Sequence, residues 1–144
     1  MIDQGIVPEY SGRVNGHVLI VEKDPLQGYL LQVSLMEAGW SVSLVEGPVE
    51  ALWQCEHDLF DVAIINADYP DSIDGFVLAE RLRKRYQLPS LMITAARYTE
   101  LNSRPGFTVE QALLFKPYRL LECSSRLQQL LTLRPRLHEH HTGM

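Results

Sequence analysis

Short apolar runs that stop abruptly at polar residues constrain this chain most. The run HVLIV over residues 17–21 ends at Glu22-Lys23-Asp24-Pro25, and residues 61–66 (DVAIIN) end in an amide. Residues 88–95 (LPSLMITA) carry Thr94 next to their end, and residues 111–115 (QALLF) close on Lys116-Pro117. Continuous apolar runs of this length suit strands buried on both faces, as in a parallel sheet. Residues 40–46 (WSVSLVE) alternate instead and read as a half-buried strand.

Helical spacing fills the gaps between these runs. Pro25 fits the first turn of a helix in which Leu26, Leu30, Val33 and Leu35 recur, with Gly39 placed to stop it. A short helix is expected over residues 48–55. An amphipathic helix follows over 74–86, with apolar Phe76, Val77, Leu78, Ala79 and Leu82, and a last one spans 118–133. Residues 97–110 should hold a fourth helix, but Pro105-Gly106 cuts it and the apolar period is weak. Strands alternating with helices imply right-handed parallel crossovers, hence a doubly wound five-stranded α/β sheet with helices on both faces. Chemistry in such sheets sits at the carboxyl ends of the strands, which places Glu22, Lys23, Asp24, Asn66, Thr94 and Lys116 around one crevice.

Composition narrows the function classes. At 144 residues, 46% of them apolar and 22% charged, the chain has the make-up of one globular domain. A net charge of −5 gives no electrostatic reason to expect nucleic acid or an anionic membrane as partner. The two cysteines, Cys55 and Cys123, are far apart and lack metal-ligand spacing, so a disulfide framework is not expected and a reducing cytoplasm fits. No charged-then-apolar leader or 18-residue apolar stretch occurs, so neither secretion nor membrane spanning is expected. Residues 1–16 read as a flexible N-terminal arm, 17–133 as the folded domain and 134–144 as a flexible tail.

Four segments in order, HVLIVEKDP, FDVAIINADYPDSIDGF, LPSLMITA and LLFKPY, together resemble the receiver domain of two-component response regulators. The resemblance covers roughly residues 17–132. It implies a flavodoxin-like (βα)5 fold, a bacterial phosphorelay setting and a signalling rather than an enzymatic role. A working receiver takes a phosphoryl group on an aspartate at the end of its third strand. That chemistry needs a carboxylate nucleophile, a hard cation, and a Lys and a Ser/Thr hydroxyl to hold the phosphoryl oxygens.

Here the acceptor position is Asn66, and an amide is not a nucleophile. The main metal carboxylate is replaced by Lys23, so Mg²⁺ binding is expected to be weak or lost and no cofactor is expected. Thr94 and Lys116-Pro117 match the family pattern, and that Lys-Pro bond is commonly cis in receivers. The aromatic switch position is Leu113, and one extra residue lies before Asp74-Gly75. A loaded receiver pocket holds three carboxylates, one Lys and one divalent cation, which balance. With Glu22, Lys23 and Lys116 this pocket carries one net positive charge, and it becomes neutral without metal if Asp68 or Asp24 leans in. Lys23 and Lys116 then act as permanent counter-charges, or Lys23 points to solvent from its loop.

Other features have plainer readings. His138, His140 and His141 have metal-chelating spacing but read as a frayed tail. Asp68, Asp71 and Asp74 lack calcium-loop spacing and read as a solvated acidic loop. Arg81, Arg83, Lys84 and Arg85 form a solvated basic face or a docking patch. Leu120, Leu121, Leu127, Leu130, Leu131 and Leu133 exceed one core stripe, as a broad core face does or a homodimer contact along the last helix.

The reading that unites these features is a stand-alone pseudo-receiver acting through a protein partner: a kinase, another regulator or a localisation partner. Two alternatives stay open. One is a receiver phosphorylated on Asp68 or Asp24. The other is a domain that senses a small anion between Lys23 and Lys116.

Overall fold

In the computed structural model, which describes residues 15–68, 73–107 and 112–133, five parallel strands form one sheet in the order β2-β1-β3-β4-β5. The strands are β1 (His17–Val21), β2 (Ser41–Val45), β3 (Val62–Asn66), β4 (Ser90–Thr94) and β5 (Ala112–Phe115). The helices are α1 (Pro25–Glu37), α2 (Pro48–His57), α3 (Gly75–Tyr86), α4 (Tyr98–Leu101) and α5 (Leu120–Leu133). Hydrogen bonding begins no later than Asn15, whose backbone N–H reaches Gly39 O and whose side chain reaches Ala38 O. Residues 1–14 and 134–144 lie outside the described residues, with His138, His140 and His141 among them, as does Asp71.

The continuous apolar runs have a direct physical reason. Side chains of a strand alternate between faces, and here both faces are covered. Leu19 and Val21 of β1, Ala63 and Ile65 of β3 and Met92 of β4 pack with Ala51 and Cys55 of α2 and Phe76, Leu78 and Leu82 of α3. Val18, Ile20, Val62, Ile64, Leu91, Ile93 and Leu114 face the other way, onto Leu35 of α1 and Cys123 and Leu127 of α5. Each fully buried Leu or Ile contributes about 1.5–3 kcal/mol, so a polar side chain mid-strand would be costly on either face. Cys55 and Cys123 fall in opposite layers and are free thiols. Burial pushes them up to about 11 and about 12, which leaves them inert near neutral pH.

Of the periodic residues of α1, Leu35 is buried but Leu26 and Leu30 are 65% and 55% exposed, and the other buried position is Gly28. Gly28 explains this, because a Cβ there would stand 2.9 Å from Leu44 Cδ1. The helix approaches the sheet through the residue without a side chain. In the last helix Leu127 is buried and Leu130 and Leu131 pack against the core, while Leu121 is 81% exposed.

The fourth helix is a single turn, and the chain after it is held by other means. The Arg104 guanidinium donates to Ala67 O at 2.9 Å and to Asp74 Oδ2 at 2.8 Å, and lies 5.0 Å above the Phe76 ring. Phe107 meets Phe76 edge to face. Gly106 has φ +78, and a Cβ there would come within 2.8 Å of Val77 N and 2.9 Å of the Phe76 carbonyl carbon. Backbone cannot swing aside as a side chain can. Gly106→Ala is therefore expected to cost about 2–4 kcal/mol, read as a lower urea midpoint, whereas Leu121→Ala should stay within about 0.5 kcal/mol.

Candidate functional site

Four strand ends deliver polar side chains to one edge of the sheet. Glu22 follows β1, Asn66 ends β3, Thr94 ends β4 and Lys116 follows β5. Each stands at or just after the last residue of its strand. Glu22 is only 8% exposed and Thr94 is fully buried, so their polar atoms need partners. The Lys116–Pro117 peptide is cis.

Glu22 accepts from Asn66 Nδ2 at 2.9 Å through Oε1 and from the Asp24 backbone N–H at 3.0 Å through Oε2. Asn66 Oδ1 in turn accepts from the Asp68 backbone N–H at 3.0 Å, with Lys116 Nζ at a longer 3.4 Å. The amide of Asn66 thus joins an anion on one side to donors on the other. A carboxylate in its place would set two anionic oxygens against each other across the same gap.

Asp68 carries the densest set of contacts. Its Oδ1 accepts from Thr94 Oγ1 at 2.6 Å, and its Oδ2 accepts from the Ala95 backbone N–H at 2.8 Å and pairs with Lys116 Nζ at 2.9 Å. Thr94 Oγ1 also accepts from the Ala96 N–H at 3.0 Å. Burial pushes the Asp68 carboxyl upward, but the hydrogen bonds from Thr94, Lys116 and Ala95 together outweigh it and hold it below its ordinary range. Asp68 is no solvated loop carboxylate. Neither is Asp74, which caps α3 through Phe76 N and pairs with Arg104.

Asp24 meets this cluster through its backbone N–H, while its side chain turns to α1. Asp24 caps α1, accepting from Leu26 N at 3.0 Å, Gln27 N at 3.4 Å and Gln27 Nε2 at 3.0 Å. Lys23 is exposed on the β1–α1 loop and lines a shallow recess together with Asn66, Glu46 and Ile65. Leu113 pairs in register with Met92 and packs on the α2–α3 layer. In the basic run of α3, Arg83 and Lys84 pair with Glu80, and Arg85 with Glu56.

Two participants were not legible as such: the Ala95 amide, which has no side-chain signature, and Arg104, a lone Arg in an irregular stretch. Among the described residues no group of three or more His, Cys, Asp or Glu could hold a metal ion, and no helix is long and apolar enough to cross a membrane.

Comparison with known proteins gives this geometry its context. The model of the response regulator receiver domain matches residues 18–120. The transcriptional activator protein IrlR of Burkholderia pseudomallei is 31% identical over 114 residues, covering 79% of this chain and 49% of the relative. The virulence transcriptional regulatory protein PhoP of Shigella flexneri is 30% identical over 115 residues, covering 79% of this chain and 51% of the relative. The chain thus spans about half the length of the curated relatives it matches. Among solved structures, a response regulator receiver protein from Sinorhizobium medicae superposes with a TM-score of 0.72 at 19% identity, covering 83% of this chain and 96% of the other. With the sheet order, the polar strand ends and the family match in agreement, the chain belongs to the response regulator receiver domains of two-component signalling.

Proposed function

We propose that this receiver domain is a pseudo-receiver: it works through protein–protein contacts without conventional phosphorylation of an aspartate. The observation that carries this reading is the bonding of Asn66. At the acceptor position stands a neutral amide, and its two ends are committed to Glu22 and to the Asp68–Lys116 side.

The residues present do not fit a hard divalent cation. Such an ion wants several anionic oxygens, and at the β1 end the second acidic position is Lys23. Both oxygens of Glu22 already accept hydrogen bonds. The unconventional acceptors are poorly placed as well. The Asp24 carboxylate is occupied in capping α1. Asp68 could attack a phosphodonor only by giving up Thr94 and Lys116, the donors that would have to hold the incoming phosphoryl oxygens.

Partners of receivers are kinases and other regulators, and the surface beside the pocket suits a protein contact. Leu26, Tyr29 and Leu30 of α1 and Leu120 and Leu121 of α5 are exposed, and both helices begin at the site end of the same layer. A homodimer through α5 would use part of the same surface.

The experiment is incubation of the chain with acetyl phosphate and Mg²⁺, read by intact mass. No phosphoryl adduct is expected; a stable, Mg²⁺-dependent adduct would overturn the reading. Asn66→Asp alone is expected to lose on the order of 1–2 kcal/mol, because its carboxylate faces Glu22, and to label little. Combining it with Lys23→Asp should raise labelling well above either single variant, measured by the same mass readout.

A further inference from the structure

We infer that the Asp68 carboxylate is a tethered ligand seated in an oxyanion site built from Thr94 Oγ1, the Ala95 backbone N–H and Lys116 Nζ. The inference rests on the pseudo-receiver reading and says what holds its pocket in one state. The chain carries its own anion where another receiver would acquire one, and a free tetrahedral oxyanion such as inorganic phosphate binds there only when Asp68 is removed.

Three features separate this arrangement from a surface ion pair. First, the donors are of three kinds, a hydroxyl, a peptide N–H and an ammonium, and they come from the ends of two neighbouring strands, β4 and β5. Convergent donors of mixed kind are how proteins hold oxyanions, whereas a lone Lys–Asp pair needs only proximity. Second, both Asp68 oxygens are used, at 2.6, 2.8 and 2.9 Å. Third, Thr94 is fully buried and is itself fixed by the Ala96 N–H, so the hydroxyl is aimed before any ligand arrives. The Arg83–Glu80 pair shows the contrast, with its Arg side chain 59% exposed against 27% for Lys116.

Removing the carboxylate leaves the buried Thr94 hydroxyl and the Ala95 N–H without this acceptor, and the Lys116 ammonium with its longer contact to Asn66. Unpaired donors of this kind are costly, and a dissolved anion relieves the cost. With Asp68 present, the same anion must first displace a tethered competitor, which lowers its apparent affinity by the fraction of time the site stands open.

The test is a titration of the ¹⁵N-labelled 144-residue chain with inorganic phosphate, against chloride at matched ionic strength, with neither Mg²⁺ nor a phosphodonor present. In Asp68→Ala the Ala95 and Ala96 amides should shift saturably, with phosphate binding at least about tenfold tighter than in the unmodified chain. Adding Lys116→Ala should abolish the response. Asp68→Asn keeps the side chain's shape without its charge and provides a second folded background; it should also gain a saturable response. Equal responses in the unmodified chain and Asp68→Ala would overturn the inference, as would no response in whichever variant retains a dispersed spectrum. Because no phosphoryl donor is present, this outcome is independent of the mass experiment on which the pseudo-receiver reading stands or falls.

Discussion

A parallel sheet covered on both faces confines its polar side chains to the strand ends, and the rest of this molecule follows from that constraint. Within β1, β3 and β4 the apolar positions 18–21, 62–65 and 91–93 each face one helical layer or the other, so hydration is denied to both sides of these stretches. The first place where a carboxylate, an amide or a hydroxyl can stand is just beyond the last covered residue. Glu22, Asn66, Thr94 and Lys116 all stand at or just after the last residue of a strand. The same constraint that makes the core apolar therefore concentrates the chemistry, and it holds whatever the strand ends have become.

What these strand ends have become is a network satisfied by groups of the chain itself. Glu22 is nearly buried and would be expensive without donors; it has the Asn66 amide and the Asp24 peptide N–H. An aspartate in place of Asn66 would turn that favourable contact into a repulsive one, to be relieved by a proton or a cation. On the other side Lys116 pairs with Asp68. Asn66 thus meets Glu22, and Asp68 meets Thr94 and Lys116, within the chain itself.

The strands, their ends and the weakness of the fourth helix were legible because each leaves a local mark: an apolar run, a polar stop, a Pro-Gly break. Glu22, Asn66, Thr94 and Lys116 could be placed together by the fold class alone. Charge balance could bring either Asp68 or Asp24 into the pocket; the structure seats Asp68 against Lys116, a choice that depends on the distance between the β3–α3 loop and the ends of two other strands. Locally Asp68 and Asp74 look like an acidic loop, and only tertiary structure supplies Lys116 and Arg104. The buried position of Gly28 on α1 was not legible for a related reason. Gly28 has no apolar side chain to register in a periodicity, yet its lack of a Cβ is what lets the helix meet Leu44. Periodicity records what fills space, and a close approach is made by what leaves it empty.

The two ends of the β3–α3 loop bring these points together. Asp68 ties one end to β4 and β5, and Asp74 ties the other to Arg104, which also takes the Ala67 carbonyl. The segment after α4 is fixed in turn, since Gly106 lies against the backbone of Phe76 and Val77 where no side chain fits. A switch by phosphorylation requires a loop with two arrangements that differ in which donors are satisfied before and after the anion arrives. In this chain the hydroxyl of Thr94 and the ammonium of Lys116 are satisfied at the outset by a residue of the same loop. On the pseudo-receiver reading proposed above, an arriving anion would have little left to gain, and the coupling that drives a switch would be small. A partner that reads this end of the sheet would meet one surface, and control would lie in whether the partner or this chain is present.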